Sequence, residues 1–153
     1  MEKSTNKNMQ DKSLQFGQLL FLLQRMDRQP TTYGAAGQFT PSEIHTIDAI
    51  GCDHAILMSE LAAKLNVTKG AITQLADKLE KKGAIQRSPH PTDKRAMLLS
   101  LTNIGVLAYK EQNEVRSYFY TLLANQMNAQ EMAIFEKGID ITIGLLQKLL
   151  GEK

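Results

Sequence analysis

The stretch KGAITQLADKLEKK at residues 69–82 constrains the fold more than any other part of the chain. Ile72, Leu75, Ala76 and Leu79 fall on one face at helical spacing, which leaves Gly70, Thr73, Gln74, Asp77 and Lys81 on the other. Gly83 follows where helices commonly stop, with Lys81 and Lys82 in a last turn whose dipole favours cations. Directly after it come AIQRS (84–88), a proline-bracketed tip, and AMLLSLT (96–102). In the last of these Met97, Leu99 and Leu101 alternate as in a half-buried strand. Two such segments joined by a short loop predict a β-hairpin packed beside an amphipathic helix.

Upstream, TPSE at 40–43 is a strong helix start, with Thr40 as N-cap, Pro41 in the first position and Glu43 closing a capping box. Ile44, Ile47 and Ile50 form its buried stripe. A short helix follows in SELAAKL (59–65), then the tight turn NVT (66–68), where Thr68 can cap the next helix. QPTTYGAAGQF (29–39) is expected to be a breaker-rich loop. Flanking helices are expected at 14–29 and 103–150, the second region divided by a capping box at Asn128 and Glu131. Residues 1–12, polar and mixed in charge, are expected to be a loose leader. The fold class is thus mainly α with a small β-hairpin wing, in which 40–102 form a winged helix-turn-helix and the terminal helices a second layer.

Charge points to a partner. Residues 64–95 hold eight bases against three acids, a net +5, while the rest of the chain carries −3. A polyanion partner explains that concentration, and so does a solvated basic helix face. In a helix-turn-helix the second helix lies in the major groove with its N-terminal half at the base edges. Here that half offers Thr68, Lys69, Gly70, Thr73 and Gln74, followed by Lys78, Lys81 and Lys82 for phosphates. Gln suits adenine, Thr a thymine methyl, and glycine permits close approach. At the wing, Arg87, His90, Asp93, Lys94 and Arg95 are the candidates, with Asp93 expected to pair with Arg95 and aim its guanidinium. Pro89 and Pro91 stiffen the loop, so less entropy is lost when it docks.

The run from Thr68 to Thr102 resembles the multiple-antibiotic-resistance regulator (MarR) family of bacterial transcription factors. The resemblance is carried by AITQLADKLEKKGAIQR and PHPTDKRAMLLSLT. These include the D-x-R of Asp93 and Arg95, the closing Leu101–Thr102, and Asp77, Leu79, Lys82, Gly83 and Arg87 in order. Helix order outside this run matches too, over roughly 14–150. Gln74 stands where many members carry Arg, so no base preference is carried over. The resemblance implies a homodimer with interlaced terminal helices that binds a palindromic operator on double-stranded DNA as a repressor, and often a small aromatic or phenolic effector that lowers DNA affinity. Terminal helices apolar on more than one side agree with a dimer. A winged module that docks on a protein and ignores DNA is the alternative. It would need neither the basic segment nor the charged tip.

Other residue patterns suggest little chemistry. No nucleophile–base pair, phosphate loop or metal cluster is legible, so neither an enzyme nor a cofactor is expected. His45, His54 and His90 are scattered singly; only His45, Asp48 and Cys52 share helical spacing, and no metal site is expected. Cys52 is expected to be a small buried side chain. The apolar cluster LLFLL (19–23) is too short to cross a bilayer and the start lacks a secretory signal, so no membrane partner and a cytoplasmic location are expected.

Overall fold

A computed structural model describes residues 2–28, 31–93 and 95–151. The first helix, α1, spans Glu2–Asp27. It therefore takes in most of the segment expected to be a loose leader. Nothing between Glu2 and Phe16 is a glycine or proline, and the Lys12 ammonium donates to Gln15 Oε1 at 3.0 Å one turn on. Polarity lowered the sequence expectation, but polarity alone does not stop a helix.

The supposed loop is a small hairpin. Strands β1 (Thr31–Tyr33) and β2 (Gly37–Phe39) pair antiparallel around a 3-10 turn at Gly34–Ala36. Tyr33 and Phe39 point into the core with their rings tilted 6.0 Å apart, and the Tyr33 hydroxyl donates to Gln112 Oε1 at 2.7 Å. Glycine at both ends of the turn signalled a break, while the two inward aromatics are what convert it into paired strands.

Helix α2 (Pro41–Ile50) opens on the expected box: Glu43 N–H donates to Thr40 Oγ1 at 3.3 Å and Thr40 N–H to Glu43 Oε2 at 2.8 Å. Strand β3 (Ile56–Leu57) and helix α3 (Met58–Lys64) follow, and the Lys64 ammonium donates to the Ala49 carbonyl at 2.8 Å, joining α3 to α2. Asn66 adopts the left-handed conformation (φ 51°) in the turn before α4 (Lys69–Lys81). Thr68 caps α4, accepting from Ala71 N–H at 3.2 Å. The helix ends in a Schellman pattern, with Gly83 N–H donating to Glu80 O at 2.9 Å, Ala84 N–H to Leu79 O at 2.9 Å, and Gly83 at φ 71°.

Strands β4 (Ile85–Pro89) and β5 (Met97–Leu101) make the predicted hairpin, in register from Ile85 opposite Leu101 to Pro89 opposite Met97. Strand β3 adds to the other edge of β5, giving the order β3-β5-β4. A two-residue strand has no sequence signature of its own and was not expected. Under this sheet Ile47, Ile50, Leu61, Ile72, Leu79 and Leu99 are fully buried, so helices α2, α3 and α4 share one apolar core with β5.

Helix α5 (Asn103–Ala124) starts where Thr102 N–H meets Ala84 O at 3.0 Å and the Thr102 hydroxyl donates to Gly83 O. At Gly105 the first turn passes so close to the wing that an added Cβ would overlap the Ala84 carbonyl oxygen. The chain divides into two compact units, 1–112 and 113–153. In the second, α6 (Ala129–Leu150) opens on the expected Asn128–Glu131 box, with Glu131 N–H donating to Asn128 Oδ1 at 3.0 Å and Asn128 N–H to Glu131 Oε2 at 2.8 Å. Met132, Phe135 and Ile139 are half-buried, whereas Leu146 and Leu149, at the same helical spacing, are exposed. No described helix is long and apolar enough to cross a membrane.

Replacing Gly105 by Ala is expected to lower the unfolding free energy by about 1–3 kcal/mol, the usual scale of overpacking. A urea midpoint equal to that of the parent protein would show that the α5–wing approach is looser than described.

Candidate nucleic-acid interface

Helix α4 is split as its sequence demands. Ile72, Ala76 and Leu79 are wholly buried, while Thr68, Lys69, Gly70, Gln74 and Lys78 are exposed and Thr73 half-buried. The Thr73 hydroxyl donates to the Lys69 carbonyl at 2.8 Å and lies 3.8 Å from Met58 Sδ. Its donor is committed, which leaves an acceptor lone pair and a methyl group for anything outside. The amide of Gln74 has no hydrogen bond among the described residues, so both of its donors and its acceptor are available. A Cβ at Gly70 would meet only Thr68 Oγ1, at 3.9 Å, so the fold itself leaves room for a side chain there.

The wing is moored to this helix by charge. Arg87 on β4 donates from Nη2 to Asp77 Oδ1 at 2.5 Å, and its Nη1 stands 3.5 Å from Glu80 Oε2. Asp77 lies one turn beyond Thr73 and Gln74. Arg87, a candidate DNA contact of the wing, is therefore a brace between two carboxylates, with 23% of its side chain exposed. The pairing was missed in the sequence because its partners come from different elements. The spacing of Asp77 and Glu80, two acids one turn apart on an otherwise basic helix, was the available signal.

Lys82 is corrected in the same way. It was grouped with the bases expected to meet phosphates, yet its ammonium bonds Glu43 Oε2 at 2.6 Å and the Gln38 carbonyl at 2.9 Å, and sits 5.1 Å from the Phe39 ring centre. It ties the end of α4 to the β1–β2 hairpin. Glu43 is 3% exposed. Burial alone would raise its pKa, but the hydrogen bonds from Lys82 and Thr40 and the lysine charge outweigh it and hold the carboxyl below its ordinary 4.5.

At the wing tip, Asp93 Oδ1 accepts the Arg95 backbone N–H at 2.9 Å. The expected pairing was with the guanidinium. Asp93 shapes the turn, and the exposed Arg95 guanidinium has no acid partner among the described residues. His90 N–H donates to Ala96 O and Ala96 N–H to Asp93 O, each at 3.0 Å. The His90 ring accepts two more backbone N–H groups, from Thr92 and Asp93, at 3.3 Å each. Lys94 lies outside the described residues.

Cys52, expected to be buried, is exposed just past the end of α2. The desolvation its sulfur does experience and the nearby Asp53 charge push its pKa up, against a smaller lowering by Lys110, so the thiol is held protonated. Among the described residues no three His, Cys, Asp or Glu side chains come together to hold a metal.

A capped helix with a solvent-facing polar edge, the tight turn before it and a hairpin braced to its flank define a winged helix-turn-helix. The comparisons agree and are narrower. Residues 39–97 match the MarR family model. Over 123 residues, 78% of this chain and 85% of the relative, the sequence is 33% identical to the multiple antibiotic resistance protein MarR of Salmonella typhimurium. Among solved structures it is similar to Streptococcus pneumoniae FabT in complex with DNA, with a TM-score of 0.74, 23% identity and coverage of 94% and 98% of the two chains. It is also similar to YusO of Bacillus subtilis, with a TM-score of 0.69, 25% identity and coverage of 93% and 96%. The chain belongs to the MarR family of transcription regulators.

The Glu43–Lys82 pair makes a pH-dependent contribution to stability. Because the folded carboxyl is depressed, that contribution is present above the unfolded carboxyl's range and is lost as pH falls through the lower folded value. The stability difference between the parent protein and Glu43→Gln is expected to narrow steadily below about pH 4.5. Denaturant titrations at several acidic pH values check it, and a pH-independent difference would remove the ionic role of Glu43.

Proposed function

We propose that this chain is a homodimeric repressor that binds a palindromic operator, one winged module to each half-site. The observation that carries the reading is the exposed edge of α4, where small and polar Thr68, Gly70, Thr73 and Gln74 precede Lys78 while β4 is braced alongside through Arg87. Thr68, Lys69, Gly70, Thr73 and Gln74 enter the major groove, with Gln74 as the base reader and Gly70 admitting the helix closely. Lys78 meets phosphate. Arg95 extends past the groove toward the backbone or the adjacent minor groove, Asp93 fixing the turn that presents it, and Lys94 adds a second charge to the wing sequence. Arg87 acts through position, keeping wing and helix at one spacing.

Exposed apolar side chains support the dimer: Leu14, Phe16, Leu20 and Phe21 on α1, and Ile141, Leu145, Leu149 and Leu150 on α6. Such surfaces need cover that each unit does not supply for itself. Family membership supports a small aromatic effector that changes the spacing of the two recognition helices, action in the cytoplasm, and regulation without enzymatic turnover.

Selection of bound duplexes from a random pool, followed by a gel shift at low salt, tests the reading. An inverted repeat is the expected product; a protein that retains no duplex at low ionic strength is instead a protein-docking module. Arg95→Ala is expected to weaken operator binding by about 1–3 kcal/mol and to flatten the salt dependence by about one phosphate contact. Equal salt slopes for the two proteins would remove Arg95 from the backbone. Gln74→Ala is expected to change the order of preference among operator variants, and uniform weakening across them would show that Gln74 does not read bases.

A further inference from the structure

The tip of the wing closes on a histidine ring. His90 sits between Pro89 and Pro91, and the second proline restricts His90 itself to extended backbone. Thr92 N–H and Asp93 N–H both converge on His90 Nδ1 at 3.3 Å, and Thr92 Oγ1 lies 3.2 Å from the same atom. A ring nitrogen accepts hydrogen bonds only through its in-plane lone pair, so this arrangement requires a neutral imidazole carrying its proton on Nε2. The backbone bonds of His90, Asp93, Arg95 and Ala96 complete the turn around it.

We propose that His90 is the positioning residue of the wing: its neutral imidazole is an internal acceptor that holds the tip in shape for Arg95 to reach DNA, and its protonation releases the tip. The part that concerns DNA rests on the function proposed above; the part that concerns the tip does not.

Protonation puts a hydrogen where the lone pair was. The Thr92 hydroxyl can turn and accept from it, because a hydroxyl works in either sense. The Thr92 and Asp93 amides have fixed polarity and lose their acceptor together. The nearest described acid, Asp93, carries a charge that favours the imidazolium, but a carboxylate cannot replace the lost acceptor while it holds the Arg95 N–H. The charged side chains described on the loop are Asp93, whose carboxylate is engaged by the Arg95 N–H, and Arg95 itself. The flanking strand residues Ser88, Pro89, Ala96 and Met97 are uncharged. The tip is therefore held while the imidazole is neutral and loosened once both ring nitrogens carry protons.

Asparagine supplies the test. Its Oδ1 occupies the same place along the side chain as Nδ1 of histidine and accepts hydrogen bonds without titrating. In the free, full-length protein, the Thr92 and Asp93 amide signals are followed by nitrogen-15 NMR from about pH 8 to 5.5, across the imidazole range. Operator affinity is measured over the same range at constant ionic strength for the parent protein, His90→Asn and His90→Ala. The parent amides are expected to titrate together and those of His90→Asn to stay put. Relative to His90→Asn, the parent protein is expected to lose about five- to tenfold in affinity on acidification, the scale of one net hydrogen bond. His90→Ala should bind as weakly at the upper pH as the acidified parent does. Amide shifts that run parallel in the parent and His90→Asn overturn the tip mechanism. Amides that titrate as expected, with affinities that stay equal in all three proteins, overturn its link to DNA. If Arg95→Ala is then equally silent, the fault lies in assigning the wing to DNA at all.

Discussion

The geometry of the DNA-binding lobe depends on one guanidinium. Arg87 leaves the first wing strand and ends between Asp77 and Glu80, the two acids on the exposed flank of α4. A helix and a hairpin that meet only through apolar side chains can slide, because such contacts are weakly directional. A planar donor held by two carboxylates fixes both distance and rotation. The buried Nε of Arg87 has no partner of its own, so the value of the side chain lies in its two forked nitrogens. Local charge is spent in the process: two acids on a basic face look like a flaw until their shared arginine is seen.

A second brace works at the other end of the same helix. Lys82 meets the buried Glu43 and the Gln38 carbonyl, so the β1–β2 hairpin, the first turn of α2 and the last turn of α4 converge on one ammonium. Of the bases concentrated between residues 64 and 95, Lys82, Arg87 and Lys64, which joins α3 to α2 through the Ala49 carbonyl, are engaged in holding the module together. The cations left outward are Lys69, Lys78, Lys81 and Arg95 among the described residues. The polyanion-facing charge is smaller and better placed than composition suggested.

Local signals were legible in the sequence. The capping boxes at Thr40–Glu43 and Asn128–Glu131, the cap at Thr68, the stop at Gly83 and the buried stripe of α4 all depend on residues within one or two turns of each other. Features made by distant partners were not. Strand β3 exists only because β5 offers it an edge, and β1–β2 because Tyr33 and Phe39 have a core to enter. The same division runs through the candidate interface. The outward residues of α4 follow from its period, whereas the roles of Arg87, Lys82 and Asp93 depended on which acid or amide folding brings near. Cys52 was misjudged because burial was expected from residue type alone, whereas α2 ends at Ile50 and the cysteine falls on the loop beyond it, exposed.

The seating of α5 has a mechanical consequence. Its first turn is pressed against Ala84 at Gly105, and the threonine before it is bonded to both residues that close α4. There is no slack at that corner, since a single methyl group would already collide. A displacement of the start of α5 must therefore either break these bonds or carry along Gly83 and Ala84, the residues that close α4, the corner serving as a fulcrum between the two helices.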